Sequence, residues 1–204
     1  MISDTKRFEQ AIAAFDAVNA QDPNREQAGG KEYPKEILYA LRMSEMLERF
    51  APNASEAVKL AVRAQHIKRW AIPRSEYPMT PIGYKQWRIR LYKFHADLAA
   101  DILREVGYDE EMVARVHSIV RKEALKLNPE TQMLEDVVDL VFLEHYLEDF
   151  VNKYGSAGEA KMLDILRKTW KKMSPQGHEA ALKLIKLPEA LAPVVLKAVN
   201  GEAA

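Results

Sequence analysis

The sequence predicts an all-α protein: a helical bundle of about eight or nine helices in a single domain over residues 1–204, with 155–204 as a C-terminal helical extension packing on the core. Three observations predict it. Apolar residues recur three or four positions apart in nearly every segment bounded by proline or glycine. No segment reads as a convincing strand. The connections are short, which favours antiparallel packing of successive helices.

Taken in order, Ser3 or Asp4 caps a helix over 7–19, with Phe8, Ile12, Phe15 and Val18 on one face. Asp22-Pro23-Asn24 and Gly29-Gly30 mark the next stretch as a loop. Pro34 suits the first turn of a helix over 35–50, and Ser55 opens one over 56–70. Residues 72–83 hold three prolines and a glycine and read as an irregular loop. A helix over 84–106 carries Trp87, Leu91, Phe94 and Leu98 on one side, with His95 at the seam, and Gly107 stops it. Asp109 caps a helix over 110–126. Thr131 caps the next, which runs to about Tyr154 and is apolar nearly all round. Helices over 159–171, from Pro175, and over 189–199 complete the chain.

Composition narrows the chemistry. Lys plus Arg and Asp plus Glu are both 30, so no global field favours nucleic acid or an acidic membrane. Cysteine is absent, which excludes disulfides, thiolate catalysis and Cys-type zinc sites. With no signal-peptide pattern and no long apolar run, a soluble cytoplasmic protein without membrane association is expected.

The local distribution of charge is uneven. From Arg63 to Lys93 there are eight Lys or Arg and one acid, Glu76; from Asn128 to Asn152 there are seven acids and no Lys or Arg. The basic run contains His66, His95 and several aromatics. It suits a small anionic or phosphorylated ligand, with Arg63, Lys68, Arg69, Arg74 and Arg88 as donors and Arg121 and Lys122 as contributors from a later helix. RNA is a weaker candidate partner, and a homodimer is allowed. Imidazole and carboxylate groups on different helices point to one divalent metal (Zn, Mn, Fe or Mg) held by His66, His95 and Asp136. Glu135 and His117 are then the candidates for proton transfer. The structural alternative is a set of satisfied half-buried histidines, with Asp136 paired to Arg42 or Arg63.

The strings RFEQAIAAFDAVNAQDPN at 7–24, RAQHIKRWAIPRSEYP at 63–78, KFHADLAADILREVGYDEEMVARV at 93–116 and LEDVVDLVFLEHYLEDF at 134–150 resemble the DUF4202 family of uncharacterised helical proteins. More distantly, the layout resembles the HD-domain superfamily of metal-dependent phosphohydrolases. That resemblance implies a helical fold in which His95 and Asp136 take the places of metal ligands. Gln65-His66 or His66-Ile67, depending on register, stands where the His-Asp pair is expected, and Glu36 or Tyr39 near the place of the first histidine. Its functional implication is a metal-dependent phosphohydrolase acting on a small phosphorylated or nucleotide substrate. The alternatives are a non-catalytic binding module in the basic cleft and, further off, an iron-dependent oxygenase.

Overall fold

The computed structural model describes residues 4–154 and 159–185. Its α-helices are α1 (Asp4–Asn19), α2 (Lys35–Phe50), α3 (Glu56–Ala64), α4 (Pro81–Val106), α5 (Glu110–Val120), α6 (Pro129–His145), α7 (Leu147–Tyr154), α8 (Glu159–Lys172) and α9 (Pro175–Lys183). The protein is all-α; among the described residues the one exception is a hairpin, β1 (Arg25–Ala28) with β2 (Lys31–Pro34). None of the described helices is long and apolar enough to cross a membrane. The chain divides into two compact units, 1–134 and 135–204, at Leu134 inside α6. The helix expected over 189–199 lies outside the described residues.

The hairpin corrects the expected plain loop. Arg25 pairs with Pro34 and Ala28 with Lys31 in antiparallel register. Gly29 and Gly30 hold φ of 55° and 75°, which a two-residue hairpin turn of matching twist requires and most side chains resist. Gly-Gly between two short polar runs was the available signal. Arg42 anchors the hairpin to α2 through Glu26.

In the first unit α3 is the centre. Ala57, Val58, Leu60, Ala61, Val62 and Ala64 are all buried, and α3 contacts α1, α2, α4 and α5. Its N-cap is Ser55, whose hydroxyl accepts from Val58 N. Helix α3 was expected to continue to residue 70, but it stops at Ala64. Lys68 takes φ 52°, and the groups that would extend the helix bond to side chains instead. Lys68 N donates to Asn19 Oδ1 at 2.9 Å, and Ile67 O accepts from His95 Nδ1 at 2.7 Å. Long-range contacts thus override the local helical pattern and fix the turn that carries Gln65 and His66.

Helix α4 begins at Thr80, whose hydroxyl accepts from Gly83 N, with Pro81 at the first helical position. Its inner stripe is Gly83, Trp87, Leu91, His95 and Ala99, a strict spacing of four. His95 therefore belongs to the buried face itself, while Phe94 and Leu98 are half-buried. Gly83 sits against the preceding loop: a Cβ there would lie 2.2 Å from Pro78 O. Gly83→Ala is expected to destabilise the protein by ~1–3 kcal/mol through this overlap. Urea denaturation followed by tryptophan fluorescence measures it, and an unchanged midpoint would show that the loop yields freely.

Helix α5 ends at Val120, short of the expected residue 126. Lys122, Ala124 and Lys126 adopt positive φ of 60°, 52° and 77°. Asn128, not Thr131, caps α6: its Oδ1 accepts from Glu130 N at 2.9 Å and from Thr131 N at 3.4 Å.

The second unit explains how carboxylates tolerate an apolar helix. Val137, Leu140, Val141 and Leu143 of α6 are buried, and so are Glu135, Asp136 and Asp139. Lys172 reaches Glu135 at 2.7 Å and Asp139 at 3.2 Å. Asp136 Oδ1 accepts from Ser174 N at 2.7 Å and Oδ2 from Ser174 Oγ at 2.6 Å. Ser174 in turn caps α9 by accepting from Gly177 N. His178 stacks on Trp170 with ring centroids 3.9 Å apart and donates from Nε2 to Trp170 O.

Candidate functional site: a histidine pair among cations

The first unit gathers a polar centre from α2, the turn after α3, and α4. Glu36 lies in the first turn of α2, where Asp22 Oδ2 accepts from its backbone N at 3.0 Å. One turn on, Tyr39 stacks on the His66 ring, centroids 4.1 Å apart and planes 18° from parallel. The Tyr39 hydroxyl donates to Gln65 Oε1 at 2.9 Å, which orients the turn. His66 and His95 rings lie 5.9 Å apart.

Bond donors decide the tautomers. A carbonyl can only accept, so His95 carries its proton on Nδ1 toward Ile67 O, and Nε2 holds a lone pair. Arginine can only donate, so the 3.3 Å contact between Arg69 Nη1 and His66 Nε2 makes that nitrogen the acceptor. Neutral His66 then carries its proton on Nδ1, 3.4 Å from Glu36 Oε2.

The electrostatics are unusual for a core. Burial pushes the Glu36 carboxyl up to about 7; Asp22 adds to this and Arg69 opposes it. Burial, then the charges of Arg69, His95, Arg88 and Lys122, holds His66 well below the usual imidazole range. Burial lowers His95 to about 3; the bond to Ile67 O works the other way, and Arg69, Arg88 and Lys122 lower it further. Both rings are therefore neutral at physiological pH.

Three cations bear electrostatically on the pair. Arg69 lies over the Trp87 ring at 4.7 Å and 3.9 Å from Glu36 Oε1. Arg88 donates to Tyr84 Oη at 3.3 Å and to Tyr92 Oη through both Nε and Nη2. Among the described residues no ion pair joins Arg88 to a carboxylate. Lys122 sits 5.4 Å from the Tyr92 ring centroid, in a left-handed conformation that lysine adopts at a cost of ~1 kcal/mol. Backbone strain of this kind concentrates at functional positions. Tyr92 also lines a groove of about 450 Å³ with Gln86, Ile89, Arg90, Lys93 and Arg121.

The candidates named from sequence are thus divided. His66, His95, Arg69 and Arg88 come together, joined by Lys122. Arg63 is engaged bidentately by Asp16 at 2.8 and 2.6 Å and also donates to Ala40 O and Ser44 Oγ, so it ties α3 to α1 and α2. Arg74 is a loop clamp: it donates to Tyr77 O and Pro78 O, both at 2.8 Å. Lys68 is exposed and contributes its backbone to the turn. His117 pairs with Asp97 at 3.0 Å on a partly exposed face. Arg121 pairs with Glu123 at 3.2 Å. Glu135 and Asp136 belong to the second unit and are held by Lys172 and Ser174. Asp136 is met by Ser174, while Arg42 is met by Glu26 and Arg63 by Asp16.

The metal set can be tested on donor chemistry. Among the described residues no group of three or more His, Asp or Glu is placed to hold a metal ion. His66 Nε2 is met by Arg69 and its Nδ1 carries the proton, so only His95 Nε2 offers an open lone pair. The arrangement fits a metal poorly.

A family model described as Domain of unknown function (DUF4202) matches residues 9–195. The chain belongs to the DUF4202 family. No curated protein and no solved structure matches it. The match spans the elements that build this centre, so Glu36, Gln65, His66, Arg69, Arg88 and His95 all lie within the DUF4202 region. Sequence reasoning did not assign Glu36 or Tyr92 a role. The signal for Glu36 was an acid in the first turn of α2, one residue from Lys35. The signal for Tyr92 was its spacing of four from Arg88.

Proposed function

We propose that this DUF4202 protein binds a small phosphorylated ligand at the Arg69, Arg88 and Lys122 cluster over the neutral His66–His95 pair. The observation that carries this reading is the setting of Arg88, a half-buried guanidinium whose hydrogen bonds go to the hydroxyls of Tyr84 and Tyr92. The charges of Arg69, Arg88 and Lys122 all bear on the neutral histidine pair. Arginine forks match phosphate oxygens. Half-buried His66, Arg69, Arg88 and Lys122 form the accessible side. The test is titration calorimetry with inorganic phosphate and with a nucleotide. Arg88→Gln and Lys122→Gln are each expected to weaken binding by about tenfold or more, as loss of a charge-assisted bond does. Phosphate affinity indifferent to both substitutions would overturn the reading.

A second reading makes the site a phosphohydrolase. A carboxyl near 7 beside His66 can exchange protons with water at physiological pH, which favours Glu36 as the proton-transfer group. The resemblance to the HD-domain fold agrees with phosphate chemistry. Gln65 and His66 nevertheless replace the His-Asp pair, and Gln65 is engaged by Tyr39. His66 cannot serve as a metal ligand in this state, since Arg69 meets its Nε2 and its Nδ1 carries the proton. Phosphate release from a panel of monoesters, lost in Glu36→Gln while binding persists, would establish turnover. Binding without release under any added cation would leave the non-catalytic reading.

A further inference from the structure

The geometry points to His95 Nε2 as the acceptor of a hydrogen bond from an O–H carried by the bound anion, so that the centre selects a hydroxyl-bearing oxyanion over a bare one. This deepens the phosphate-binding reading and rests on it. His95 is 1 % exposed, and its Nε2 has no hydrogen-bond partner among the described residues. A buried acceptor left unmet is costly, and native proteins seldom keep one without a ligand or water to meet it. The other ring nitrogen is fixed as a donor by Ile67 O, so the tautomer cannot turn Nε2 into a donor. The positive charges of Arg69, Arg88 and Lys122 all bear on this ring and oppose its protonation. Nε2 is thus held as an acceptor.

An anion attracted by these cations brings oxygens, which are themselves acceptors. A bare oxygen against Nε2 sets lone pair against lone pair. An O–H meets it. Sulfate has four unprotonated oxygens near neutral pH, whereas inorganic phosphate of the same shape and charge retains one P–OH. A phosphorylated small molecule with a hydroxyl near its phosphate offers the same chemistry from another source.

Two matched pairs test this, at about pH 8 so that monoesters are dianionic, with chelator present so that no metal contributes. The first pair is inorganic phosphate against sulfate. The second is glycerol phosphate against methyl phosphate, which lacks any O–H as the dianion. A preference of about tenfold or more within either pair is expected, and the pair that shows it names the source of the hydroxyl. His95→Phe is expected to abolish that preference while retaining affinity for the bare oxyanion. The wild-type ratios stand without this variant if it fails to fold. Equal affinities within both pairs would mean that water meets Nε2, and the inference would be overturned although anion binding stood. Failure of all four ligands to bind would instead remove the underlying phosphate reading.

Discussion

Replacing Glu36 with Gln is expected to stabilise the first unit at about pH 8 by ~3 kcal/mol, with the gain vanishing near pH 4.5. Folding raises the Glu36 carboxyl from 4.5 to about 7 because burial penalises its charge. Between those two values the folded protein holds a proton that the unfolded chain has released. Stability therefore falls as pH rises through this window and levels off above 7. At ~1.4 kcal/mol per unit, a shift of that size costs on the order of 3 kcal/mol once complete. Glu36 is 6 % exposed, so solvent screening takes little of it away. Gln keeps the size of the side chain and an oxygen facing His66 Nδ1, but it never ionises. Urea denaturation of both proteins in a Trp170→Phe background, with Trp70 and Trp87 reporting on the first unit, measures the difference. A gap independent of pH would show that Glu36 ionises freely in the fold. The cost is informative about function, because a carboxyl that weakens the fold when charged is usually kept for what its proton does.

Much of the fold was legible in the sequence because it is written in local rules. The bounds of α2 follow from Pro34 and from the break at Pro52. Ser55, Asp109 and Ser174 announce helix starts, and each side chain caps as expected. What the sequence hid was decided at long range. No glycine or proline stands at Ala64 to end α3; Asn19 and His95 end it by binding Lys68 N and Ile67 O. Helix α5 gives way to three positive-φ residues without a single glycine among them.

The site was legible to the same degree. Its residue types were visible: two histidines in a basic run. Its membership was not. A guanidinium reads alike whether it meets Asp16, as Arg63 does, or tyrosine hydroxyls, as Arg88 does. Asp136 looked costly in an apolar helix, yet two donors from Ser174 satisfy it. Spacing places side chains on faces of helices, but partners are chosen by tertiary contact.

His95 sets the opposite response to acid, and Glu36→Gln exposes it. Its imidazole falls from 6.5 to about 3 on folding, chiefly through burial. The unfolded chain therefore takes up a proton at 6.5 that the folded protein refuses until about 3. The contribution is fully present above 6.5 and is lost as pH falls through that window, up to ~5 kcal/mol at its end. His66, held well below its ordinary value, adds in the same direction. In the wild type the gain from protonating Glu36 offsets most of the loss from His95 between about pH 7 and 4. In Glu36→Gln that offset is gone, and acidification over this range is expected to destabilise the first unit by at least ~3 kcal/mol. A flat profile in the variant would mean that His95 is protonated within the fold. Bound phosphate gives a further check: it binds the folded state alone, so saturating ligand should shift the acid transition to lower pH. The two buried groups therefore compensate for one another, with Glu36 protonating as pH falls while the histidine pair stays neutral.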